Sequence, residues 1–544
     1  MAATWIRPYD WCDRSEGMAA RTAFAHPGDM QRFDRPEGRK KVGVVGGGVA
    51  GLTAAYELSQ LSHQVTVFES TDRWGGRIWT ERFGEADGPY AELGAMRIPY
   101  GHGCVDHYVS KFGLTRRHFV SKNNATLLRF RQTSWRRANW KAAAEHFGSH
   151  LAPGPILEAV AATTSPLSSR ALWGQVTHDW NFPALCQREE RSLAQVVNDA
   201  IRNQWITAED WAWVGALNGF RWLEDASVLF WENVATLIDP HGKYEIAGGM
   251  SRFVDEFVRQ LTSTSKVTLR LHSPVSALTM RDGAVTVHWQ DTAGVHEEQF
   301  DYVVVALPAP CVARLDIRPP LSSDQEDALR AVHYFPIAKS AVLCSVRFWE
   351  RDDRIFGGST ATDLPNQQVW YPNDNAVPMT DDDSDHLSPT SRSVTGNLPI
   401  DPAFEPTDWK AASEDVANGP GAITGGYMWG TNALRFGSLD ETQRSATIHD
   451  CVIQIHPNAD SHIQRIVHRV WGDWPSPGGG GFAYFRPTEQ RKYGGILCRP
   501  HPDPSRGAHP RVFFAGEHDG VAQGWIQGAV QSALAAAASV MSQP

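Results

Sequence analysis

The chain has 544 residues and a formal net charge of -10 at pH 7, with 42% hydrophobic and 21% charged residues. This composition is ordinary for a globular protein, and the length allows roughly three domain-sized units. The negative charge argues against nucleic-acid binding, which requires a basic patch. No apolar run approaches the ~18 residues of a membrane helix, and charged residues interrupt the N-terminal stretch where a secretion signal would be apolar.

The seven cysteines are scattered along the chain without C-x-x-C spacing. Such an odd, dispersed set predicts reduced thiols in the cytoplasm and gives no metal site. The 21 tryptophans are unusually many. Packing in the core and between domains is the ordinary interpretation of such residues, and an aromatic-lined pocket is the alternative.

The first elements in chain order predict one supersecondary unit. Residues 1–38 lack periodicity and are predicted to form an arm that packs on the body of the protein. An apolar strand over residues 41–45, a helical pattern over 52–58 and a second strand over 64–69 follow. This order predicts a β-α-β unit.

The middle of the chain is helical first and strand-forming later. Residues 140–240 are mostly helical, including a Trp-rich stretch over 211–231 that fits amphipathic helices. Three apolar stretches are predicted to be strands that continue the first sheet: 267–271, 284–289 and 302–307.

The last third contains one polar stretch and one further strand-helix unit. Residues 376–420 are rich in Asp, Ser and Pro, which predicts a solvated surface insertion. A strand over 511–514, a Gly/Asp turn and a helix over 525–540 end the chain.

The strongest local motif is Gly46-x-Gly48-x-x-Gly51, between the first strand and the first helix. Gly46 permits the tight turn, Gly48 lets a pyrophosphate approach the backbone, and Gly51 lets the helix pack closely. The helix N-terminus offers free N–H groups and partial positive charge to phosphates. Glu69 ends the second strand, where an acid binds ribose hydroxyls. The context predicts dinucleotide binding over an ordinary glycine turn, and it leaves FAD and NAD both open.

Two further motifs bear on that choice. Gly76 and Arg77 follow the second strand and suit a second approach to the same pyrophosphate, with Arg77 neutralising its charge. Near the C-terminus, Glu517 follows a strand, and Gly524 with Trp525 opens a helix. This second glycine-assisted helix start suggests another ligand contact, and a plain strand–turn–helix is the alternative.

Together these motifs resemble the flavin-containing amine oxidase superfamily, and Gly94-Ala-Met-Arg97-Ile-Pro99 narrows the resemblance to its L-amino-acid oxidases. It runs from about residue 40 to the C-terminus. It implies an α/β and α+β fold with a Rossmann-type FAD-binding domain, a mixed-sheet substrate domain and a helical domain. The implied ranges are an arm at 1–38, FAD-binding segments at 39–80, 245–332 and 505–544, substrate segments at 81–138 and 333–504, and a helical segment at 139–244.

The resemblance implies FAD as cofactor. Val275 would contact adenine through its backbone, Glu517 would accept a ribityl hydroxyl, Trp471 would lie against the isoalloxazine, and Lys339 would lie near flavin N5. The last helix would aim its positive end at the flavin edge that becomes anionic on reduction. The implied cofactor contacts are Gly46, Gly48, Val49, Ala50, Gly51, Glu69, Gly76, Arg77, Gly94, Ala95, Met96, Arg97, Val275, Trp471, Glu517, Gly524, Trp525, Ile526 and Ala529.

The same resemblance assigns the substrate carboxylate to Arg97, and a guanidinium can bind a carboxylate through two parallel hydrogen bonds. A surface ion pair is the alternative for this arginine. Tyr427 would add a hydroxyl to the carboxylate, and the carbonyl of Gly524, with Trp525, would face the amine. Arg97, Lys339, Tyr427 and Trp525 are thereby the implied catalytic residues.

The implied reaction moves a hydride from the α-carbon of a free L-amino acid to FAD. It yields an imino acid and then a 2-oxo acid, ammonia and hydrogen peroxide, with oxygen as the second substrate. Trp429 and the wall formed by residues 478–482 leave room for a large side chain, aromatic or long and basic. The resemblance also implies a homo-oligomer, a dimer or higher.

Three alternatives stay open from the sequence. They are an amino-acid 2-monooxygenase that forms an amide, an oxidase of amines without a carboxylate, for which Arg97 has no role, and a non-catalytic flavoprotein. The turn His518-Asp519-Gly520 lacks the threonine that the family often has, and Phe335 stands where some members have an arginine. No base is assigned; the candidates His241, His333 and His518 are each more often structural.

Overall fold

The computed structural model describes residues 26–33, 38–61, 63–85, 87–162, 183–218, 220–231, 242–379, 406–472, 479–520 and 522–544. Its α-helices, numbered α1 to α15, are Val49–Gln60, Gly103–Lys111, Trp140–Phe147, Pro153–Ala161, Pro183–Glu189, Leu193–Arg202, Ala208–Asn218, Ser251–Thr262, Ala309–Val312, Ser323–Ala331, Phe348–Arg351, Thr431–Gly437, Glu441–Ile455, Glu489–Leu497 and Ile526–Met541.

The strands in the described part of the chain, numbered β1 to β25, are Lys41–Val45, Gln64–Phe68, Thr80–Arg82, Tyr90–Glu92, Ile98–Pro99, Arg116–His118, Leu127–Phe130, Thr133–Arg136, Lys243–Ile246, Val267–Arg270, Val275–Arg281, Ala284–Asp291, Gly294–Phe300, Tyr302–Val305, Asp316–Arg318, His333–Phe335, Ile337–Cys344, Ser359–Thr362, Gln368–Trp370, Ala376–Pro378, Trp409–Ala411, Gly421–Trp429, Ile463–Val470, Phe482–Tyr484 and Val512–Phe514.

A five-stranded parallel sheet carries the glycine motif, in the order β10-β2-β1-β14-β25. Its strands come from three separated stretches of the chain. The valines of β1 and β14 are buried, as the continuous apolar runs of a sheet covered on both faces require. Helices α1, α8 and α15 contribute to the same buried core. The predicted β-α-β unit is confirmed.

The prediction for residues 284–289 was wrong in one respect. Residues 267–270 and 302–305 do join the parallel sheet, but β12 lies in a separate sheet of order β13-β12-β11-β15. β12 pairs antiparallel with β13 from Val285 to Asp291. An alternating apolar pattern fits a strand in either sheet, and the short β12–β13 turn at Thr292 and Ala293 favours the antiparallel neighbour.

The largest sheet is mixed and has seven strands, in the order β23-β17-β22-β19-β18-β7-β8. Strands β17 and β22, second and third in that order, are antiparallel neighbours, and they carry Lys339 and Tyr427 directly opposite one another. The residues described between 140 and 231 are mostly helical, as predicted, and pack around Trp213 in a second core.

The structure describes only part of the predicted arm at residues 1–38 and of the predicted insertion at residues 376–420. Residues 26–33 of the predicted arm are described, and Met30 there is buried in the main core. Most of the predicted insertion lies outside the described residues. Within it, strands β20 and β21 pair antiparallel, and Trp409 on β21 is buried. Most of the other residues described between 407 and 420 are exposed, in agreement with the predicted surface position.

Candidate active site

The first glycine motif forms the predicted turn. Gly46 has left-handed backbone with φ of +109°, and a side chain there would collide with the Ala306 carbonyl. A side chain at Gly51 would collide with the Gly46 carbonyl, so Gly51 serves the close packing of α1. At Gly48, by contrast, a Cβ would find nothing nearer than the Gly76 Cα, at 3.9 Å. This open space above the backbone is what a pyrophosphate needs.

Glu69 directly follows β2 beside this turn and is 8% exposed. One carboxylate oxygen accepts the backbone N–H of Gly47 at 2.8 Å. The other accepts the N–H and the hydroxyl of Thr71 at 2.9 Å and 2.8 Å. These bonds fix the carboxylate at the turn, and a carboxylate has lone pairs enough to accept a ribose hydroxyl as well.

Arg77 and Glu517 meet in the wall of the same cleft. Arg77 Nη1 lies 3.1 Å from Glu517 Oε2 and 3.1 Å from the carbonyl oxygen of Gly481, to which it donates. Glu517 is 5% exposed and also accepts the backbone N–H groups of Ala483 and Gly524. Because Glu517 balances the charge of Arg77, the partial positive charge beside these two residues comes from the helix N-termini.

The C-terminal helix α15 provides a second helix N-terminus at the cleft, in addition to that of α1. Trp525 is its N-cap residue, and its first turn has no acidic side chain. Gly524 has φ of +84°, a conformation that glycine adopts without strain. Helices α15 and α1 share one core, and both begin at the same cleft. Two partial positive charges there favour a ligand that is anionic at two points.

One cleft collects most of the residues predicted from the sequence. Those that line it are Gly46, Gly48, Val49, Ala50, Glu69, Gly76, Arg77, Gly94, Ala95, Lys339, Tyr427, Trp471, Glu517, Gly524, Trp525, Ile526 and Ala529. The Trp471 ring is 2% exposed and is held by a hydrogen bond from its indole N–H to the Leu93 carbonyl, at 2.8 Å.

Some predicted site residues do not line the cleft in the structure: Gly51, Met96, Arg97, Val275 and Trp429. The Met96 sulfur accepts from Lys339 Nζ at 3.4 Å. Val275 begins β11 and pairs with Trp289, so its assigned contact with adenine stays a prediction. The Trp429 ring centroid lies 5.1 Å from that of Tyr427, which does line the cleft.

Arg97 lies beside two aromatic residues, Trp370 and Phe119. Its guanidinium carbon is 5.1 Å from the Trp370 ring centroid and 5.6 Å from that of Phe119. Burial lowers the pKa of Arg97, and Tyr427 acts in the opposite direction. No acidic side chain in the described part of the chain forms an ion pair with it. A half-buried guanidinium beside aromatic rings, without a protein carboxylate among the described residues, is suited to an incoming carboxylate.

Lys339 and Tyr427 contact each other, and the charge of Arg97 affects the pKa of both. Lys339 Nζ lies 4.3 Å from the Tyr427 ring centroid and donates to the Gly94 carbonyl at 2.7 Å. Burial lowers the pKa of Lys339 to about 7, opposed by Glu92 and assisted by Arg97. Burial raises the pKa of Tyr427 to about 12, opposed by Arg97. Near neutral pH the tyrosine therefore keeps its proton and can donate it, while the lysine is divided between its charged and neutral forms.

We expect Lys339→Met to remove a pH dependence of stability. An unfolded lysine has a pKa of about 10.4, so above the folded pKa of about 7 the unfolded chain binds more protons. The Lys339 contribution to the free energy of unfolding is therefore lowest below about pH 7 and rises until about pH 10. Thermal unfolding at about pH 7 and about pH 9.5 measures this change.

The wild type should gain more stability over that pH interval than Lys339→Met. The control is Lys41→Met, which removes an exposed pair with Glu298 and should behave like the wild type. An identical gain in the wild type and in Lys339→Met would contradict the prediction.

The two candidate bases in the described part of the chain, His333 and His518, do not line the cleft. His333 pairs with Glu489 at 3.1 Å, and His241 lies outside the described residues. His518 is 3% exposed, and burial together with Arg77 lowers its pKa to about 3, which makes it a poor proton acceptor. Phe335, at the position where relatives can have arginine, stacks on Phe482 with ring centroids 5.3 Å apart.

Sequence reasoning missed one wall of the cleft. Ala306, Leu307, Pro308 and Cys311 line it after β14, and Ile337 lines it from β17. The position of the first group follows from the parallel sheet, whose strands all end at the ligand edge. Ile337 is two residues before Lys339, so strand periodicity could have placed both on one face.

The fold and the cleft define a class of protein. The residues present fit a flavin dinucleotide: an open cradle above Gly48, an acid for ribose, two helix N-termini, and a fixed aromatic ring at Trp471. Arg97 adds a cation that forms no ion pair with an acidic side chain in the described residues. The site is that of a flavin-dependent oxidoreductase.

Comparison with known proteins also indicates a flavin-dependent oxidoreductase. The profile of the "Flavin containing amine oxidoreductase" family matches residues 49–541. The chain is 28% identical to a flavin-dependent L-tryptophan oxidase of Lentzea aerocolonigenes, over 92% of this chain and 98% of that protein. It is 28% identical to an L-amino-acid oxidase of Protobothrops flavoviridis, over 92% and 88%.

Solved structures share the fold. An engineered putrescine oxidase matches with a TM-score of 0.64 and 17% identity, covering 93% of this chain and 99% of that one. Cyclohexylamine oxidase of Brevibacterium oxydans matches with a TM-score of 0.62 and 16% identity, covering 92% and 98%. The chain belongs to the flavin-containing amine oxidoreductase family, and its cofactor is FAD.

The remaining predictions concern membranes, metal ions, cellular location and oligomeric state. No helix among the described residues is both long and apolar enough to span a bilayer. Within the same residues, no three His, Cys, Asp or Glu side chains are grouped to hold a metal ion. The predicted cytoplasmic location and the predicted dimer or higher oligomer stay predictions.

Proposed function

We propose that this protein oxidises a free L-amino acid with FAD, giving an imino acid that hydrolyses to a 2-oxo acid and ammonia, with hydrogen peroxide formed from oxygen. The observation that carries the proposal is the half-buried Arg97 guanidinium, which no acid of the described residues neutralises. The relatives named as an L-amino-acid oxidase and an L-tryptophan oxidase support it.

Binding would fix both ends of the α-carbon. Arg97 would hold the carboxylate through two hydrogen bonds, and Tyr427 would donate its hydroxyl to the same group. The Gly524 carbonyl would accept from the amine, beside Trp525. With the carboxylate and the amine fixed, two positions remain on the α-carbon, and in the L-enantiomer the side chain would occupy its pocket while the hydrogen points to the flavin. Such orientation lowers the barrier by several kcal/mol. FAD, when bound, supplies the two-electron acceptor.

The positive charge at this site also acts on the amine. A neutral amine is needed because its lone pair assists the departure of the α-hydride. Arg97, and Lys339 while it is protonated, disfavour an ammonium group beside them. The residues therefore promote loss of the amine proton through their field, without an assigned base.

We propose that the substrate side chain is large, aromatic or long and basic. Phe482 lines the cleft, and Trp429 lies next to it with ring centroids 5.7 Å apart. Phe335 contacts both rings, stacked on Phe482 and edge-to-face with Trp429. Aromatic rings provide a large apolar contact surface for another ring, and they can also face a cation.

A peroxide-coupled screen of the twenty L-amino acids and their D-enantiomers tests the proposal. We expect peroxide with L-substrates that have large side chains and none with D-enantiomers, because the fixed carboxylate and amine would turn the D-hydrogen away from the flavin. Highest activity with Ala or Gly would contradict the assignment of side-chain size.

The same screen separates the alternatives. Detection of an amide in place of a 2-oxo acid would indicate a monooxygenase. Faster turnover of amines that lack a carboxylate would indicate an amine oxidase, in which Arg97 does not bind the substrate. A flavin-loaded protein that yields no peroxide with any amino acid or amine would indicate a non-catalytic flavoprotein.

A further inference from the structure

His102 occupies a position that its own hydrogen bonding does not explain. It is five residues beyond Arg97 and is the N-cap residue of α2, although its side chain caps no backbone N–H. The imidazole is 1% exposed, and its buried Nε2 atom has no hydrogen-bond partner among the described residues. Burial lowers the pKa of His102 to about 3, so the ring is neutral near neutral pH. Leaving a buried nitrogen unpaired costs free energy.

The ring makes one specific aromatic contact. Its centroid lies 5.1 Å from that of Trp525, with the two planes at 80°, an edge-to-face arrangement. Such aromatic pairs contribute roughly 0.5–1.5 kcal/mol beyond the area that they bury. Trp525 is the N-cap residue of α15 and lines the cleft, so this contact bears on the geometry of the site.

A second contact joins the same two elements. The backbone N–H of Val105, in the first turn of α2, donates to Gln527 Oε1 at 3.2 Å, and Gln527 lies in the first turn of α15. The start of α2 therefore meets the start of α15 at two points. The chain that leads into α2 is the segment that carries Arg97.

We propose that His102 is a positioning residue, whose ring sets the distance between Trp525 at the start of α15 and the segment that carries Arg97. The proposal rests on the proposed function, in which Arg97 holds the carboxylate and the 524–525 backbone and ring hold the amine of one substrate. A shift of about 1 Å between two such anchors misaligns the α-hydrogen and lowers the rate on the order of 10²-fold at most.

Two substitutions test whether position 102 needs an aromatic ring or only apolar volume. His102→Phe keeps an aromatic ring of similar size against Trp525, whereas His102→Leu keeps apolar volume and removes the ring. We expect kcat with the best L-amino acid to fall on the order of 10-fold in His102→Leu and to stay within about 3-fold in His102→Phe. FAD content and the affinity for benzoate, a carboxylate without an amine, should change by less than about 3-fold in both.

His107→Leu is the matched control. His107 is on the same helix α2 and stacks on His26 with ring centroids 3.8 Å apart, and it makes no contact with Trp525. We expect it to leave kcat unchanged. The pH profile of kcat is a further readout: a neutral positioning ring leaves the profile of His102→Phe as in the wild type.

Three outcomes would overturn the proposal. The first is wild-type kcat in His102→Leu. The second is an equal loss of FAD and of thermal stability in His102→Leu and His102→Phe, which is a structural role only. The third is an ionisation lost from the pH profile of His102→Phe, which would make His102 an acid or base.

The proposed function can fail separately. If no amino acid reduces the flavin of the wild-type holoenzyme, the oxidase assignment fails, and the absorbance bands of the oxidised flavin still test His102. A shift of these bands in His102→Leu that is absent from His102→Phe and His107→Leu supports a displaced Trp525. Unshifted bands in all three overturn the positioning role.

Discussion

Arg97→Ala is expected to lower kcat/KM for the best L-amino acid on the order of 10²-fold or more. The substitution removes two charge-assisted hydrogen bonds to the carboxylate, each contributing about 1.5–3 kcal/mol. A loss of about 3 kcal/mol corresponds to somewhat more than two factors of ten in rate. Steady-state peroxide production by flavin-loaded protein measures it.

Arg97→Lys distinguishes charge from geometry. A lysine at position 97 keeps the positive charge but cannot form the planar pair of bonds, so we expect it to recover only part of the lost activity. The control is Arg354→Ala, because Arg354 is exposed and already paired with Glu414. Its activity should equal that of the wild type.

The result also decides between substrate classes. An amine without a carboxylate should be turned over equally by the wild type and by Arg97→Ala, since it offers nothing to the guanidinium. If Arg97→Ala left kcat/KM of the best amino acid unchanged, the carboxylate-binding role would be excluded, although the FAD site would be unaffected.

Gly48→Ala is expected to fold and to lose FAD. A Cβ at Gly48 meets no atom closer than 3.9 Å, and the backbone there has φ of -74°, which alanine adopts freely. The methyl group would instead occupy the space of the pyrophosphate. Losing the N–H contacts of one phosphate costs about 3 kcal/mol, or on the order of 10²-fold in the dissociation constant of FAD.

The measurement is titration of the FAD-free protein with FAD, followed by flavin fluorescence. Thermal unfolding of the FAD-free protein should be the same for Gly48→Ala and the wild type, which separates the lost affinity from misfolding. Gly419→Ala is the control, since Gly419 has φ of -91° and its Cβ would meet only the Val416 carbonyl, at 3.5 Å. Wild-type FAD affinity in Gly48→Ala would place the pyrophosphate elsewhere.

Much of the cofactor site could be predicted because its residues are neighbours in the chain. Gly46, Gly48 and Gly51 encode a turn whose conformation depends on the local backbone, and Glu69 follows one strand later. Any chain with this spacing between a strand and a helix forms nearly the same cradle. The structure brings all four to one place, as predicted.

Pairs of residues distant in sequence could not be predicted in this way. The pairing of Arg77 with Glu517 changes the role of Arg77, because its charge is balanced before any ligand binds. The sheet that β12 joins was predicted wrongly, since periodicity gives the face of a strand but not its neighbour. The contact of His102 with Trp525 leaves no signal in either segment alone.

The sequence by itself indicated the family and FAD through the resemblance of its motifs to known oxidases, and it predicted Arg97 as the ligand of a substrate carboxylate. Short motifs carry this information because they specify backbone turns and donor groups at fixed spacing. Only the tertiary structure decided which charges are balanced: Arg77 has Glu517 beside it, and Arg97 has no acid partner among the described residues. It also decided that the pKa of Lys339 is lowered. Charge balance and pKa depend on burial and on distances between remote segments, and these exist only once the chain has folded.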